Sequence, residues 1–460
     1  MIPGNFEGAA IMHTESTDKH VVIIGGGFAG LGCARGLARR RGVRVTLLDR
    51  NNYHQFQPML YQVATSQLAP ADVAFSLRKV FLRAENVDLK LAEAVSIDPA
   101  ARAVATKTGE VYQGDYLVLA AGSQPNFFST PGAQQHALPL YSLDDAERLR
   151  SRILQAFEAA DRDKSLLDQG ALNFVIVGAG PTGVETAGAL ADLIRVTMAA
   201  EYKDLATDSA RIHLIDHGPR VLGAFSEGAH TYAAKVLQDL GVHLRLGTSV
   251  KEIGLGHVLL SDGTTIKTRV VVWAGGLKAA SLAGAAGLPQ GHGGRIDVQP
   301  DLMVAGFPGI YVLGDLANTR DSAGGFFPQL GSVALQAGQW TAGNILADIA
   351  GKQRTPFRYH DKGIMAMISR NAAVVEIGER RHELHGMVAV AAWLGVHAYL
   401  MSGIRTRIEA FIDWTWTYFG QSRGPQVLDR SDAARINWQD DEEERPEPTT
   451  HAVPPHQAEA

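Results

Sequence analysis

The hydrophobic positions of this chain fall into two regimes. As far as about residue 340 they come as short apolar runs that end on glycine, on small residues or on an acid. Residues 21–24, 43–48 and 174–177 are of this kind, as are RIHLID, DYLVLAAG, RVVVWAGG and GIYVLGD, and all predict strands. Between the first two, residues 31–40 read as a helix. After residue 386 the pattern changes. MVAVAAWLGVHAYLM, residues 387–401, carries His397 as its one ionisable side chain. As a helix it would cover roughly 22 Å, short of a hydrocarbon core of ~30 Å, so a simple membrane span is not expected. Residues 404–419 read as an amphipathic helix. Ile404, Ile408, Phe411, Ile412, Thr415, Tyr418 and Phe419 fall near one face, with Arg405, Arg407, Glu409 and Asp413 mostly elsewhere. Trp414, Trp416 and Tyr418 are residue types that favour a membrane–water boundary, and Arg405 and Arg407 suit anionic head groups. A core or dimer helix would need the same apolar stripe.

The glycines sharpen the first regime. The first strand runs into Gly25-x-Gly27-x-x-Gly30, a helix follows, and the next strand ends at Asp49. Gly25 permits the tight turn, Gly27 lets a pyrophosphate approach the backbone, and Gly30 lets the helix pack on the strand. Asp49 is placed for the hydroxyls of a ribose. The unit recurs as Gly178-x-Gly180-x-x-Gly183, with Asp216 closing the following strand. Residues 187–211 are longer than the usual crossover, so that helix is expected to be extended or interrupted. Asp216 suits a free 2′-hydroxyl and repels a 2′-phosphate, which favours NADH over NADPH, with His217 and Arg220 nearby as counterweights. Two such units about 150 residues apart describe a flavoprotein with two dinucleotide sites. Ala121 and Gly122 end one strand where the chain passes between domains, and Gly275 ends its counterpart. Asp315, after another strand, can accept hydrogen bonds from a flavin's ribityl chain. Arg50 and Val95 complete the candidate cofactor contacts.

Composition limits what such a chain does next. Its 460 residues predict two or three domains. A net charge of −5 argues against nucleic acid as a partner. The one cysteine, Cys33, lies in a helical stretch and reads as a packed thiol, so neither a disulfide nor a CxxC redox pair can form within the chain. No metal-ligand spacing occurs, and no metal is expected. Electrons reaching a flavin must therefore leave it directly, to an organic acceptor, a partner protein or oxygen. MIPGNFEGAAIMHTESTDKH has no basic region followed by a long apolar run, so the enzyme body is expected in the cytoplasm.

Further segments carry a resemblance. NNYHQFQPMLYQVATSQLAP (residues 51–70), GVETAGAL, FFPQLGSVALQAG (326–338) and KGIMAMISRNAAV (362–374) are similar to motifs of the type II NADH dehydrogenases, single-subunit NADH:quinone oxidoreductases of respiratory membranes. The likeness runs from about His20 to about Gly420, and the C-terminal stretch resembles that family's membrane-binding helices. It implies FAD and NADH as cofactors, a membrane quinone as acceptor, and a peripheral, monotopic place on the cytoplasmic face of the membrane, with a homodimer possible. It implies that Glu185 lies near nicotinamide and flavin, that Gln336 points to the quinone head group and that Ala334 packs against the flavin. Ser332 stands where the family has glutamine, and Ser369 where it has glycine. Glu185, Lys362 and His54 are open as proton donors.

The expected architecture is α/β: two Rossmann-like dinucleotide-binding domains and a C-terminal membrane-anchoring α/β region. The FAD domain is discontinuous, from residues 19–130 and 290–355, with an NADH domain of residues 131–289 inserted. Residues 356–419 form the C-terminal region, and residues 1–18 and the acidic 420–460 are expected to be disordered. The expected activity is NADH oxidation through non-covalent FAD with two-electron quinone reduction and no proton pumping. The rivals are a soluble reductase serving a protein acceptor and a redox sensor that binds NADH and FAD.

Overall fold

The computed structural model describes residues 18–438 apart from 322–323, 379, 402, 420–422, 424–425, 429–435 and 437, and describes only the backbone of 404–406 and 417–419. The expected disorder of residues 1–17 and of most of 420–460 lies outside the described residues.

Along the chain, β1 (Lys19–Ile24) leads into α1 (Phe28–Leu37) and β2 (Val43–Asp49), followed by β3 (Val87–Leu91) and β4 (Tyr116–Leu119). The helix starts three residues earlier than its hydrophobic pattern suggests, because the glycine turn itself supplies the cap. β5 (Ser123–Pro125) then leaves for the next unit, which contains β6 (Asn173–Val177), α2 (Pro181–Asp192), β7 (Arg211–Asp216), β8 (Val242–Leu246) and β9 (Val270–Trp273). β10 (Leu277–Ala279) returns, pairing antiparallel with β5 as the two chain crossings run side by side. β11 (Ile310–Val312) and α3 (Gly331–Ile349) complete the first unit.

Both main sheets are wholly parallel. The first has the order β11-β4-β1-β2-β3. In the second, Leu138–Pro139 is followed by β9-β6-β7-β8. Parallel sheets must be buried on both faces, and β4 and β9 are buried throughout. The crossover after α2 is irregular as expected: a π-helix, Leu193–Met198, carries it on.

Small residues bring α1 and α3 close together. A Cβ on Gly338 would lie 2.0 Å from the Ala29 carbonyl oxygen, and one on Gly36 would lie 2.5 Å from Ala342 Cβ. Cys33 is fully buried in this contact, and burial pushes its thiol up to about 12, so it is a packed thiol and not a reactive one.

The C-terminal unit is a three-stranded antiparallel sheet, β12 (Gly363–Ser369), β13 (Ala372–Ile377) and β14 (His382–His385), followed by α4 (Met387–Leu400) and α5 (Ile404–Phe419). It shares one hydrophobic core with the second unit: Ala366, Ala389, Trp393, Ala410 and Trp414 join Phe174 and Leu190. The Ser226 N–H and hydroxyl donate to Glu376 and Glu383, pinning the sheet to that unit. Part of the segment beyond 419 is also held to the body. Arg423 is buried, donating to the Thr65 and Ala189 carbonyls, and Ile436 N–H donates to Gln155. Acidic, proline-rich composition hid these few contacts. No described helix is long and apolar enough to cross a membrane.

Candidate active site

The two glycine turns are built alike. Gly25 and Gly178 both adopt φ +101°, and a Cβ on either would run into a carbonyl of the neighbouring strand end, 2.3 Å from Ala120 O and 2.4 Å from Ala274 O. A Cβ on Gly30 would sit 1.8 Å from Gly25 O, and one on Gly183 would sit 1.8 Å from Gly178 O. The middle glycines differ. Around Gly27 and Gly180 a Cβ would meet nothing within 4 Å. Each of these two caps a helix without any side-chain hydrogen bond. The outer glycines thus serve the fold, while the middle ones border open space at a helix N-terminus, where amide donors and partial positive charge favour phosphate.

The acids repeat the same geometry. Asp49 accepts from Gly26 N at 2.5 Å and Asn51 N at 2.6 Å, and Asp216 accepts from Ala179 N and Gly218 N, both at 2.6 Å. Each carboxylate is thereby locked across its glycine turn with lone pairs left over for a ribose. Burial raises the Asp49 carboxyl, offset by these amides and by exposed Arg50. The donor sets and open helix ends fit two dinucleotides. Val95 is exposed, three residues beyond Ala92, whose N–H bonds the Asp49 carbonyl. Gly275 abuts the Trp273 ring beside the second turn.

Asp315 lies in a narrow cleft lined by Arg295, Gln329 and Ala334. Its carboxylate accepts from the Ser123 hydroxyl at 2.9 Å, which shares the Tyr141 hydroxyl, and burial raises its pKa. Ala121 and Gly122 (φ +72°) immediately precede Ser123, and Gly122 faces Tyr141. Buried Ala334 packs against Gly314, where a Cβ would stand 3.3 Å from it, so a larger side chain there would close this cleft.

Glu185 lies in the second turn of α2 and is buried. Its carboxylate accepts from Met367 N at 3.1 Å, and the Trp393 indole N–H faces it without meeting hydrogen-bond geometry. Burial pushes it up to about 8. A helix-dipole role does not account for a carboxyl held neutral in an apolar wall. His54, packed edge-on against Phe28, has Nδ1 2.9 Å from Gly26 O and is lowered to about 4 by burial.

Aromatic rings connect these regions. Phe28, at the start of α1, meets Phe56 at 5.7 Å, Phe56 meets His397 at 6.0 Å, and His397 stacks on Trp393 at 3.8 Å, beside Glu185. A Cβ on Gly331, next to Ser332, would touch the Phe28 ring at 3.2 Å. Ser332 and Gln336 occupy successive turns of α3. The Ser332 and Tyr359 hydroxyls are 2.9 Å apart. The Gln336 amide donates to His360 O and accepts from His360 N, both at 3.0 Å. Tyr141 and Tyr359 escaped the sequence reading, since each reaches the site from a segment without a motif, whereas Phe56 and Trp393 lie in residues 51–70 and 387–401, where nothing local marks which ring turns to the site. The other departure is Trp414, grouped by its type with boundary aromatics. It is buried, and its indole N–H donates to Gln62 at 2.9 Å.

Comparison with known proteins agrees with this geometry. A family model described as pyridine nucleotide-disulphide oxidoreductase matches residues 19–338. A type II NADH:quinone oxidoreductase of Mycobacterium tuberculosis is 36% identical over 423 residues, 89% of this chain and 90% of the relative. The enzyme of the same name from Haemophilus influenzae is 27% identical over 387 residues, 77% of this chain and 86% of its own. In fold, the chain matches a solved NDH2 from Plasmodium falciparum in complex with NADH, with a TM-score of 0.81 at 20% identity, over 89% of this chain and 100% of that one.

Proposed function

Because the chain belongs to the pyridine nucleotide-disulphide oxidoreductases and, among them, to the type II NADH:quinone oxidoreductases, we propose that it holds FAD in the first cradle and NADH in the second. On this reading it reduces a membrane quinone by two electrons, without moving protons across the membrane, from the cytoplasmic face. The observation that carries the reading is the repeated cradle: two open helix N-termini, each with an acid locked across its glycine turn. Flavin, when bound, supplies the chemistry of taking a hydride from NADH and releasing two electrons to quinone.

The chain's own residues bind, orient and exclude water. Gly27 and the first amides of α1 take the FAD pyrophosphate and Asp49 its ribose. Asp315, held by Ser123, receives the ribityl hydroxyls, and Ala334 packs against the ring system. Gly180 and Asp216 do the corresponding work for NADH. Neutral Glu185, in its apolar wall, holds a proton at its carboxyl near neutral pH and releases it on the way to quinone. His54, donating its Nδ1–H to Gly26 O and lowered by burial, orients the cradle and is uncharged at that pH. Ser332 and Tyr359 present paired hydroxyls to a quinone carbonyl, replacing the reach of the family's glutamine, and Gln336 fixes the backbone at His360. α4 and α5 lie on the membrane through Met387, Val388, Tyr399, Ile408, Phe411, Ile412 and Trp416, all exposed.

The test is NADH oxidation by purified full-length protein in detergent, with and without a short-chain quinone. Quinone-dependent turnover and a flavin absorption band are expected. Turnover that needs a protein acceptor and ignores quinone would sink the reading. Deleting the C-terminal unit is a poor test, because Trp393 and Trp414 belong to the core of the second unit.

A further inference from the structure

Beside α5 the surface carries a feature that electron transfer does not use. A cleft of about 380 Å³ opens between the end of α1 and residues 75–84, with Arg35, Arg39, Lys79 and Arg83 on its walls and Phe75 and Phe81 on its floor. The sequence concentrates charge there. ARGLARRRG lends it Arg35 and Arg39 and LRKVFLR lends it Lys79 and Arg83, and neither stretch holds an acid, while Arg40 and Arg41 lie outside the cleft. No ion pair joins Arg39, Lys79 or Arg83 to a described carboxylate. Arg39 spends its Nε–H on the Arg83 carbonyl and its backbone N–H on Asn86, which leaves the rest of its guanidinium fork for another acceptor.

The position of this cleft gives it meaning. The turn between α4 and α5 sits on its floor: a Cβ on Gly403 would meet the Phe75 ring at 2.4 Å. Arg407 of α5 donates to the Met401 and Tyr399 carbonyls, closing the end of α4, and its charge is felt at Arg35. Leu82, between Phe81 and Arg83, is 82% exposed. The cleft thus abuts the turn that joins α4 to α5, the two helices whose outward faces are apolar. Several cations around one concavity suit a phosphate, which Arg can grip with two parallel N–H bonds. The apolar border suits acyl chains, which a soluble phosphate lacks.

We propose that this cleft is a binding site for the phosphate head group of an anionic phospholipid, whose chains lie against Leu82 and the exposed face of α4 and α5. This rests on the membrane reading above and deepens it, giving the protein a fixed orientation on the bilayer and a preference for anionic lipid.

The experiment measures partition of the full-length protein onto vesicles of phosphatidylcholine, with and without phosphatidylglycerol, at low salt. It compares the wild type, the cleft pair K79Q/R83Q and a charge-matched pair outside the cleft, R40Q/R41Q. Diffuse surface charge is worth about fivefold per residue and acts on both pairs alike. A site predicts that the cleft pair loses at least tenfold more of the anionic preference than the outside pair, with binding to neutral vesicles and turnover in detergent unchanged. Equal losses overturn the site. A second arm follows acylation of Lys79 by mass spectrometry. Protection by anionic vesicles and not by inorganic phosphate is expected, and protection by phosphate alone overturns the lipid assignment. Wild-type protein that binds both vesicles equally defeats only this proposal. Wild-type protein that binds neither defeats the membrane reading beneath it.

Discussion

Two glycines three residues apart divide the work of the first cradle. Gly30→Ala drives a methyl into the Gly25 carbonyl, and overpacking of this kind costs about 1–3 kcal/mol. Its melting temperature is expected to fall whether or not flavin is present. Gly27→Ala adds a methyl to open space, so the apoprotein should melt as the wild type does while flavin content after purification falls at least about tenfold. Equal flavin in both variants would refute the assignment of Gly27. Glu185 offers a pH test. Its folded pKa of about 8 stands above its ordinary 4.5, so the unfolded chain loses this proton first and stability drains as pH rises from about 4.5 to 8. Glu185→Gln keeps the acceptor for Met367 N–H and has no proton to lose. The gap between the two melting temperatures should therefore widen in the variant's favour across that window, and a constant gap would contradict a neutral Glu185. At this scale the sequence was readable where a motif fixes the backbone, at the glycines, Asp49 and Asp216. Tyr141 and Tyr359 were illegible, because the partners they bond, Ser123 and Ser332, are remote in sequence and only the folded topology brings them together.

Helix α5 has two aromatic faces with different work. Trp414 turns inward to Gln62, whereas Phe411 and Trp416 turn outward. Trp414→Phe leaves the Gln62 oxygen without this donor and is expected to cost about 1–3 kcal/mol in urea unfolding. Phe411→Glu with Trp416→Glu should leave that unfolding curve in place. It should reduce liposome partition by about tenfold or more, since burying each large apolar side chain is worth about 1.5–3 kcal/mol. A double variant that unfolds early instead would mean that this face is packed within the protein. The amphipathic period was legible from the sequence, and so was the insufficient length for a span. Which tryptophan faces which way was not, because period alone does not say whether the partner on a given face is protein or lipid.

Across the whole molecule, a single buried cysteine leaves no thiol route for electrons. Cys33→Ala should retain NADH:quinone turnover within about twofold, and the native enzyme should resist thiol-alkylating reagents for as long as it stays folded. Inhibition that Cys33→Ala abolishes would restore a redox role to the thiol. The α/β class and the pairing of two nucleotide units followed from strand–glycine–helix punctuation, which is local and repeats. The shared core between the second unit and the C-terminal helices did not follow. It joins residues some 200 positions apart in sequence, such as Leu190 and Trp393, and nothing in either segment names the other.

That shared core also sets an order of events during synthesis. β11 and α3 leave the ribosome only after the whole second unit, so the first sheet waits for an edge strand made late. α4 and α5 come later still. A nascent chain thus holds two unfinished cores for most of its translation, and its outward apolar face appears at the moment the second core closes. The apolar face that aggregates most readily in water is therefore the last surface made, on the segment that also completes the fold.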